Sequence, residues 1–231
     1  MKKHLDRSIS YKRWTFRQRS LHYFLLHLAR LLSKFVRYEV RGKHHLPIEG
    51  HGTLLVANHL SHLDSIIIAV AAYPRKRLIH FGGAKDFMEK WYFRWTKYEG
   101  AFPVGRGPGE REKAIRTAAR LLNDGSSVGI FPEGRRSRTG VIGEARPGAG
   151  WIASLSRDAL VVPVFLWGTQ HIMPPYTFGV RPGAKVLVVF GEPIALDSEV
   201  GGQPSIEYSR RVVSQIMSQV KRLGREALKD Y

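Results

Sequence analysis

The feature that most limits what this chain can fold into is an apolar strand that enters a polar turn and continues directly as an apolar helix. It reads Leu54-Leu55-Val56-Ala57-Asn58-His59-Leu60-Ser61-His62-Leu63-Asp64-Ser65, with Ser65 to Ala72 apolar enough for a buried helix. Similar strand-like and helical segments alternate along the rest of the chain. Leu78 to Phe81 reads as strand, Asp86 to Lys97 as an aromatic-rich helix, and Ala101 to Val104 as a short extended piece. Ala114, Ile115, Ala118, Leu121 and Leu122 form a helical stripe that Gly125 stops. Val128 to Phe131, Leu160 to Leu166 and Lys185 to Phe190 are further strands, and Ile206 to Leu228 a closing helix with a basic outer face. Such alternation predicts an α/β fold, a central mixed and largely parallel sheet flanked by helices. Loops rich in Gly, Pro and Arg fall at 105–109, 134–150 and 168–183, where an α/β domain tends to carry its site.

The 231 residues allow one sizeable core, and the 43% hydrophobic and 24% charged content is that of a globular chain. The expected organisation is an N-terminal segment at 1–40, a catalytic domain at 41–200 and a packed C-terminal helix at 201–231. With 37 Lys+Arg against 19 Asp+Glu, the net charge of +18 attracts polyanions of any kind. The absence of cysteine removes disulfides, thiolate metal sites and a cysteine nucleophile.

Phe24, Leu25, Leu28, Leu31, Leu32 and Phe35 make an apolar helical stripe, ringed by Arg17, Arg19, Arg30, Lys34 and Arg37. Two readings stand: a basic amphipathic helix lying on an anionic membrane surface, or a helix packed on the core. The first is the expectation adopted. Leu21 to Val36 is interrupted by His22, His27, Arg30 and Lys34 and falls short of the ~20 apolar residues a membrane span needs. A cytoplasmic protein, peripheral on the inner face of the cell membrane, is therefore expected.

The strand–turn–helix places His59 at a strand end and Asp64 in a helix's first turn. A carboxylate so placed can fix one imidazole nitrogen and leave the other to take a proton. Histidine's ordinary pKa of ~6.5 suits a base near neutral pH. Two other readings remain at this point: Ser61 and Asp64 spell a capping box, and His59, His62 and Asp64 could be metal ligands. Further on, Arg106 closes the segment Gly100-Ala101-Phe102-Pro103-Val104-Gly105-Arg106, where it could grip a phosphate. Phe131-Pro132-Glu133-Gly134-Arg135-Arg136-Ser137-Arg138 is a turn with three arginines and one carboxylate, an anion site in prospect. Glu133 is either the arginines' counter-charge or a ligand to a substrate hydroxyl, the former being favoured.

In this order the segments resemble the glycerolipid acyltransferases of the 1-acylglycerol-3-phosphate acyltransferase type. That family's N-H-x-S-x-x-D, with its HX4D core, matches Asn58 to Asp64, and its F-P-E-G-x-R-S matches Phe131 to Ser137. Its glycine–phenylalanine–arginine block lies at Gly100 to Arg106, its V-P-V strand at Val162-Pro163-Val164, and its preceding lysine at Lys85. Gly148-Ala149 and Gly191-Glu192-Pro193 match later marks, and the likeness spans roughly residues 40 to 195. Arg135 stands where threonine is usual, Pro147 where lysine is common, and Pro103-Val104-Gly105 where an Ile-Asp pair is frequent. These departures bear on the acceptor more than on the reaction.

The resemblance implies transfer of a fatty acyl group from acyl-CoA or acyl carrier protein to the free hydroxyl of a lysophospholipid, 1-acylglycerol 3-phosphate by default, giving phosphatidic acid. His59 would be the base and Asp64 its orienting acid. Lys85, Arg106 and Arg136 would hold the acceptor's phosphate, with Glu133 and Gly134 shaping that pocket. No metal or other cofactor is implied. The alternative is a non-enzymatic basic module for membranes or nucleic acid. It accounts for the charge but not for Asn58 to Asp64, and no nucleic-acid motif is present.

Overall fold

The computed structural model describes residues 27, 37–48, 50–75, 78–88, 100–156, 158–172, 183–194 and 205–231. The N-terminal stripe residues Phe24, Leu25, Leu28, Leu31, Leu32 and Phe35 lie outside the described residues, as do 89–97 of the expected aromatic-rich helix.

Seven strands are described: β1 (Arg37–Arg41), β2 (Thr53–Ala57), β3 (Ile79–Ala84), β4 (Phe102–Val104), β5 (Ser127–Ile130), β6 (Leu160–Trp167) and β7 (Lys185–Phe190). They form one sheet in the order β1-β7-β6-β2-β5-β3-β4. All neighbours are parallel except β6 and β7. The helices are α1 (Asp64–Ala72), α2 (Lys85–Met88), α3 (Pro108–Asn123), α4 (Gly148–Ser154), α5 (Thr169–Ile172) and α6 (Ile206–Ala227). The fold is the expected mixed, mostly parallel sheet with helices on both faces.

Strand alternation divides the core between those faces. Leu54 and Val56 of β2 join α3, α4 and α6 on one side, packing with Ala118, Leu121, Ile152, Val213 and Ile216. Leu55 and Ala57 turn to the other side with Leu60, Ile68 and Ala71, so α1 covers that face. β2 is buried at all five positions, as a central parallel strand covered twice must be.

Several boundaries differ from the sequence reading, each for a physical reason. β1 straddles the expected break between residues 40 and 41, because Arg37 to Arg41 pairs with β7. α3 begins at Pro108, inside the expected 105–109 loop; proline's missing N–H and fixed φ suit a first helical position. α4 starts within the expected 134–150 loop, and α5 lies inside 168–183. The α4 glycine Gly150 reads as a loop signal, yet a β-carbon there would come within 2.0 Å of the Ser209 carbonyl, so its smallness lets α4 approach α6. Among the described residues no helix is long and apolar enough to cross a membrane.

Asn58 extends the β2–β6 ladder with a side chain. Its Nδ2 donates to the Leu166 carbonyl at 2.9 Å and its Oδ1 accepts from the Leu166 N–H at 2.8 Å. The amide thus imitates one more paired residue and pins the turn that follows β2. Asn58→Ala strips two partners from a buried strand and is expected to cost about 2–3 kcal/mol, measured by denaturant unfolding.

Candidate active site

Because the strands that carry the singled-out segments are parallel, their outgoing turns share one edge of the sheet. Leu55 is level with Gly129, and Gly129 with Phe81. Four residues beyond each stand His59, Glu133 and Lys85. On the outer strand, Gly82 is level with Phe102, and Arg106 follows four residues later. Register alone therefore lines up the residues picked out separately in the sequence.

The first of these turns is held by one oxygen. Asp64 is completely buried, and its Oδ2 accepts from His59 Nδ1 at 2.8 Å, from the Leu60 N–H at 2.6 Å and from the Ser61 N–H at 2.8 Å. The Ser61 hydroxyl accepts in turn from the Leu63 N–H at 3.3 Å. Orientation of the imidazole and capping of α1 are rival readings of Asp64; the imidazole contact is made, while the other two partners are amides of the turn before α1, whose N-cap Leu63 has no side-chain cap bond. Oδ1 accepts no hydrogen bond among the described residues. With Nδ1 engaged as donor, the imidazole's remaining lone pair lies on Nε2, on a side chain still 20% exposed. A buried carboxylate beside Nδ1 and a ring open on its other side are the geometry a general base requires.

A stack of rings sets the plane of that imidazole. Phe131 lies 4.2 Å from the His59 ring at 15°, and Phe81 lies 5.8 Å from Phe131 at 14°. Gly129 makes room for the stack: a β-carbon there would come within 2.2 Å of the Phe81 ring. The backbone of His59 is clamped as well. Its N–H donates to Glu133 Oε1 at 3.0 Å, and its carbonyl accepts from the Ser137 N–H at 2.8 Å. Glu133 is buried, and Oε2 accepts from the Gly143 N–H at 2.9 Å. Its two oxygens thus join the His59 turn to the loop beyond through backbone amides, partners that neither of the roles weighed for it names.

Gly134 follows with φ 64°, a left-handed turn that side chains disfavour, and the Arg146 guanidinium lies where a β-carbon would point, 3.1 Å away. Arg136 lies close enough to His62 for its charge to act on that ring. His59, Asp64, Glu133, Gly134 and Arg136 are thus brought together. Lys85 and Arg106 stand farther along the edge in exposed ion pairs: Lys85 with Glu110 at 2.6 Å, Arg106 with Asp86 at 3.2 Å. The hydrogen bond and charge of Lys85 hold the Glu110 carboxyl below the usual range. Two participants carry no assignment in the sequence reading: Phe131 as a stacking ring and the Gly143 amide. Only Phe131 carried a signal, as the first letter of its motif.

His62 is pushed down from 6.5 to about 4, first by partial desolvation, then by the charge of Arg136 and by His59, against the opposing pull of Asp64. The fold therefore disfavours its protonated form. Stability from this source is whole above pH 6.5 and declines as pH falls towards about 4. Solvent on the ring's exposed side keeps the loss well short of the full linkage value. Between those pH values the thermal midpoint of His62→Gln is expected to fall less than that of the unaltered chain.

The fold and this edge define a class. The chain belongs to the Acyltransferase family, whose model matches residues 37–167, more than half of the sequence. Among its curated relatives, the chloroplastic 1-acyl-sn-glycerol-3-phosphate acyltransferase of Arabidopsis thaliana is 29% identical over 180 residues, 77% of this chain and 49% of the relative. The 1-acyl-sn-glycerol-3-phosphate acyltransferase of Bacillus subtilis (strain 168) is 29% identical over 187 residues, 80% of this chain and 87% of that protein. The chain thus spans about half the length of the plant relative. The solved 1-acyl-sn-glycerophosphate acyltransferase PlsC of Thermotoga maritima shares the fold, with a TM-score of 0.63 at 23% identity over 89% of this chain and 81% of that one.

Proposed function

We propose that this chain transfers a fatty acyl group from a thioester to the free hydroxyl of 1-acylglycerol 3-phosphate, forming phosphatidic acid. The observation that carries the reading is the 2.8 Å contact between His59 Nδ1 and a buried Asp64, at an edge lined with arginines. The names of the relatives agree with it.

In the proposed reaction His59 Nε2 takes the hydroxyl proton as the acceptor oxygen bonds to the thioester carbonyl carbon. The tetrahedral oxyanion then collapses, the C–S bond breaks, and the imidazolium returns the proton to the leaving thiolate. Asp64 stabilises the imidazolium between these steps. Arg136 lies nearest and meets the acceptor's phosphate first. Lys85 and Arg106 exchange the carboxylates of Glu110 and Asp86 for it, a substitution favoured because exposed pairs are weakly held and phosphate makes strong charge-assisted hydrogen bonds to ammonium and guanidinium groups. The reaction as written calls for no cofactor. The donor is acyl-CoA or acyl carrier protein, and the enzyme works peripherally on an anionic membrane, at the inner face of the cell membrane. Nucleic acid has no part in this reading.

The test is product analysis with both donor types and three acceptors: 1-acylglycerol 3-phosphate, glycerol 3-phosphate and a lysophospholipid with a choline headgroup. A new ester on 1-acylglycerol 3-phosphate is expected. Free fatty acid as the sole product, or no turnover with any pair, contradicts the reading.

A further inference from the structure

The catalytic edge carries an exposed apolar tip that the chemistry does not use. Val141 is 69% exposed, while its neighbour Ile142 packs on the core beside Ala145. The loop that presents it is braced at three points. The Ser137 hydroxyl donates to the Val141 carbonyl at 2.7 Å, the Val141 N–H to the Thr139 hydroxyl at 3.4 Å, and the Gly143 N–H to Glu133 at 2.9 Å. Arg135, Arg138 and Arg146 are exposed around the loop. Across the same edge, at the outgoing end of β4, Val104 is a second exposed apolar residue, next to Arg106.

A braced loop with an apolar tip, flanked in sequence by exposed arginines, matches the boundary between lipid headgroups and acyl chains. The tip gains by leaving water, and the cations pair with anionic headgroups. The net charge of +18 draws the chain to such a surface, and the tip gives the encounter an orientation. A protein partner of acidic character would satisfy the arginines, but it leaves a lone protruding valine without a cavity to enter. We infer that the 137–142 loop is a wedge that seats the catalytic edge on an anionic bilayer, with the Val141 side chain below the headgroups and Arg135 and Arg138 among them. The wedge rests on the lipid-acylating reading above: it lets the acceptor's glycerol hydroxyl reach His59 while the acyl chain stays in the membrane. The Ser137 N–H bonded to the His59 carbonyl joins wedge and base directly.

The chain has no cysteine, so a single introduced one can be labelled uniquely. A polarity-sensitive fluorophore is placed on Val141→Cys of the full chain. A second goes on Ile48→Cys, which is 75% exposed before β2 and so at the opposite edge of the sheet. Vesicles of mixed phosphatidylglycerol and phosphatidylcholine are added, with and without nitroxide-bearing acyl chains. The label at 141 is expected to shift to the blue and to be quenched by the nitroxide, while the label at 48 does neither. Val141→Ser is expected to weaken vesicle partition about fivefold. It leaves transfer to a short-chain, water-dispersed acceptor unchanged.

An unshifted label at 141 on protein that sediments with the vesicles overturns the wedge, as does an equal response at both positions or no binding to vesicles. A shift at 141 produced by an acidic protein and not by vesicles assigns the loop to a protein partner and overturns it too. The short-chain assay separates this outcome from failure of the proposed reaction: transfer there survives loss of the wedge but not loss of the base.

Discussion

His59→Ala is expected to lower the rate of acyl transfer by about 10²- to 10⁴-fold, the usual contribution of a positioned base. The loss belongs to kcat, since the ring acts on the reacting hydroxyl and the phosphate is held elsewhere. The substitution leaves the backbone contacts of residue 59 in place, because the bonds to Glu133 and Ser137 use its N–H and carbonyl. Asp64 keeps the amides of Leu60 and Ser61, so the destabilisation is expected to stay near 1 kcal/mol. A quenched-time assay of the new ester, alongside a thermal melt, separates the chemical loss from any loss of fold. A purified variant that folds and retains full transfer removes His59 from the mechanism.

Asp64→Asn is the second large effect, and it acts through the histidine. Three N–H groups converge on Oδ2 of a carboxylate with no exposure to water. The amide keeps the shape but not the charge, and its NH₂ group can turn a donor towards groups that themselves donate. The imidazolium then forms without its counter-charge, and the ring is free to adopt the wrong tautomer. A fall of about 10³-fold in kcat is expected, with KM for the acceptor changed little. Because the same oxygen holds the Leu60 and Ser61 amides of the turn before α1, the variant is also expected to lose about 1–3 kcal/mol of stability, seen in denaturant unfolding. Preserved kcat with lowered stability assigns Asp64 to holding the turn alone.

How much of this was readable beforehand follows from what local sequence encodes. The apolar run of β2, the valine-rich β6 and β7 and the stripe of α6 declare themselves, because each buries a continuous set of residues with a fixed period. β1 does not. It is a half-exposed edge strand of alternating Arg, Tyr, Glu and Val, continuous in sequence with a basic aromatic segment. α4 was hidden by its glycines, whose meaning depends on a helix some 60 residues later in the chain. The pairing of His59 with Asp64 is legible because only four residues separate them. Glu133 was read as a substrate contact or a counter-charge, since nothing near it in sequence announces that its partners are the amides of residues 59 and 143. Lys85 and Arg106 were read as phosphate ligands. Their ion pairs with Glu110 and Asp86 follow from β4 lying beside β3, a matter of strand order that no local motif records.

The central claim is that the residue 64 carboxylate keeps the imidazole protonated on Nδ1 and bare on Nε2, the nitrogen that meets the acceptor. Nitrogen NMR of the chain labelled in its histidine rings reads this directly. In the neutral form of the ring the residue 59 signals are expected to show a protonated Nδ1 and a bare Nε2, with that preference lost in Asp64→Asn. A proton resident on Nε2, with Nδ1 bare in the unaltered protein, contradicts the account.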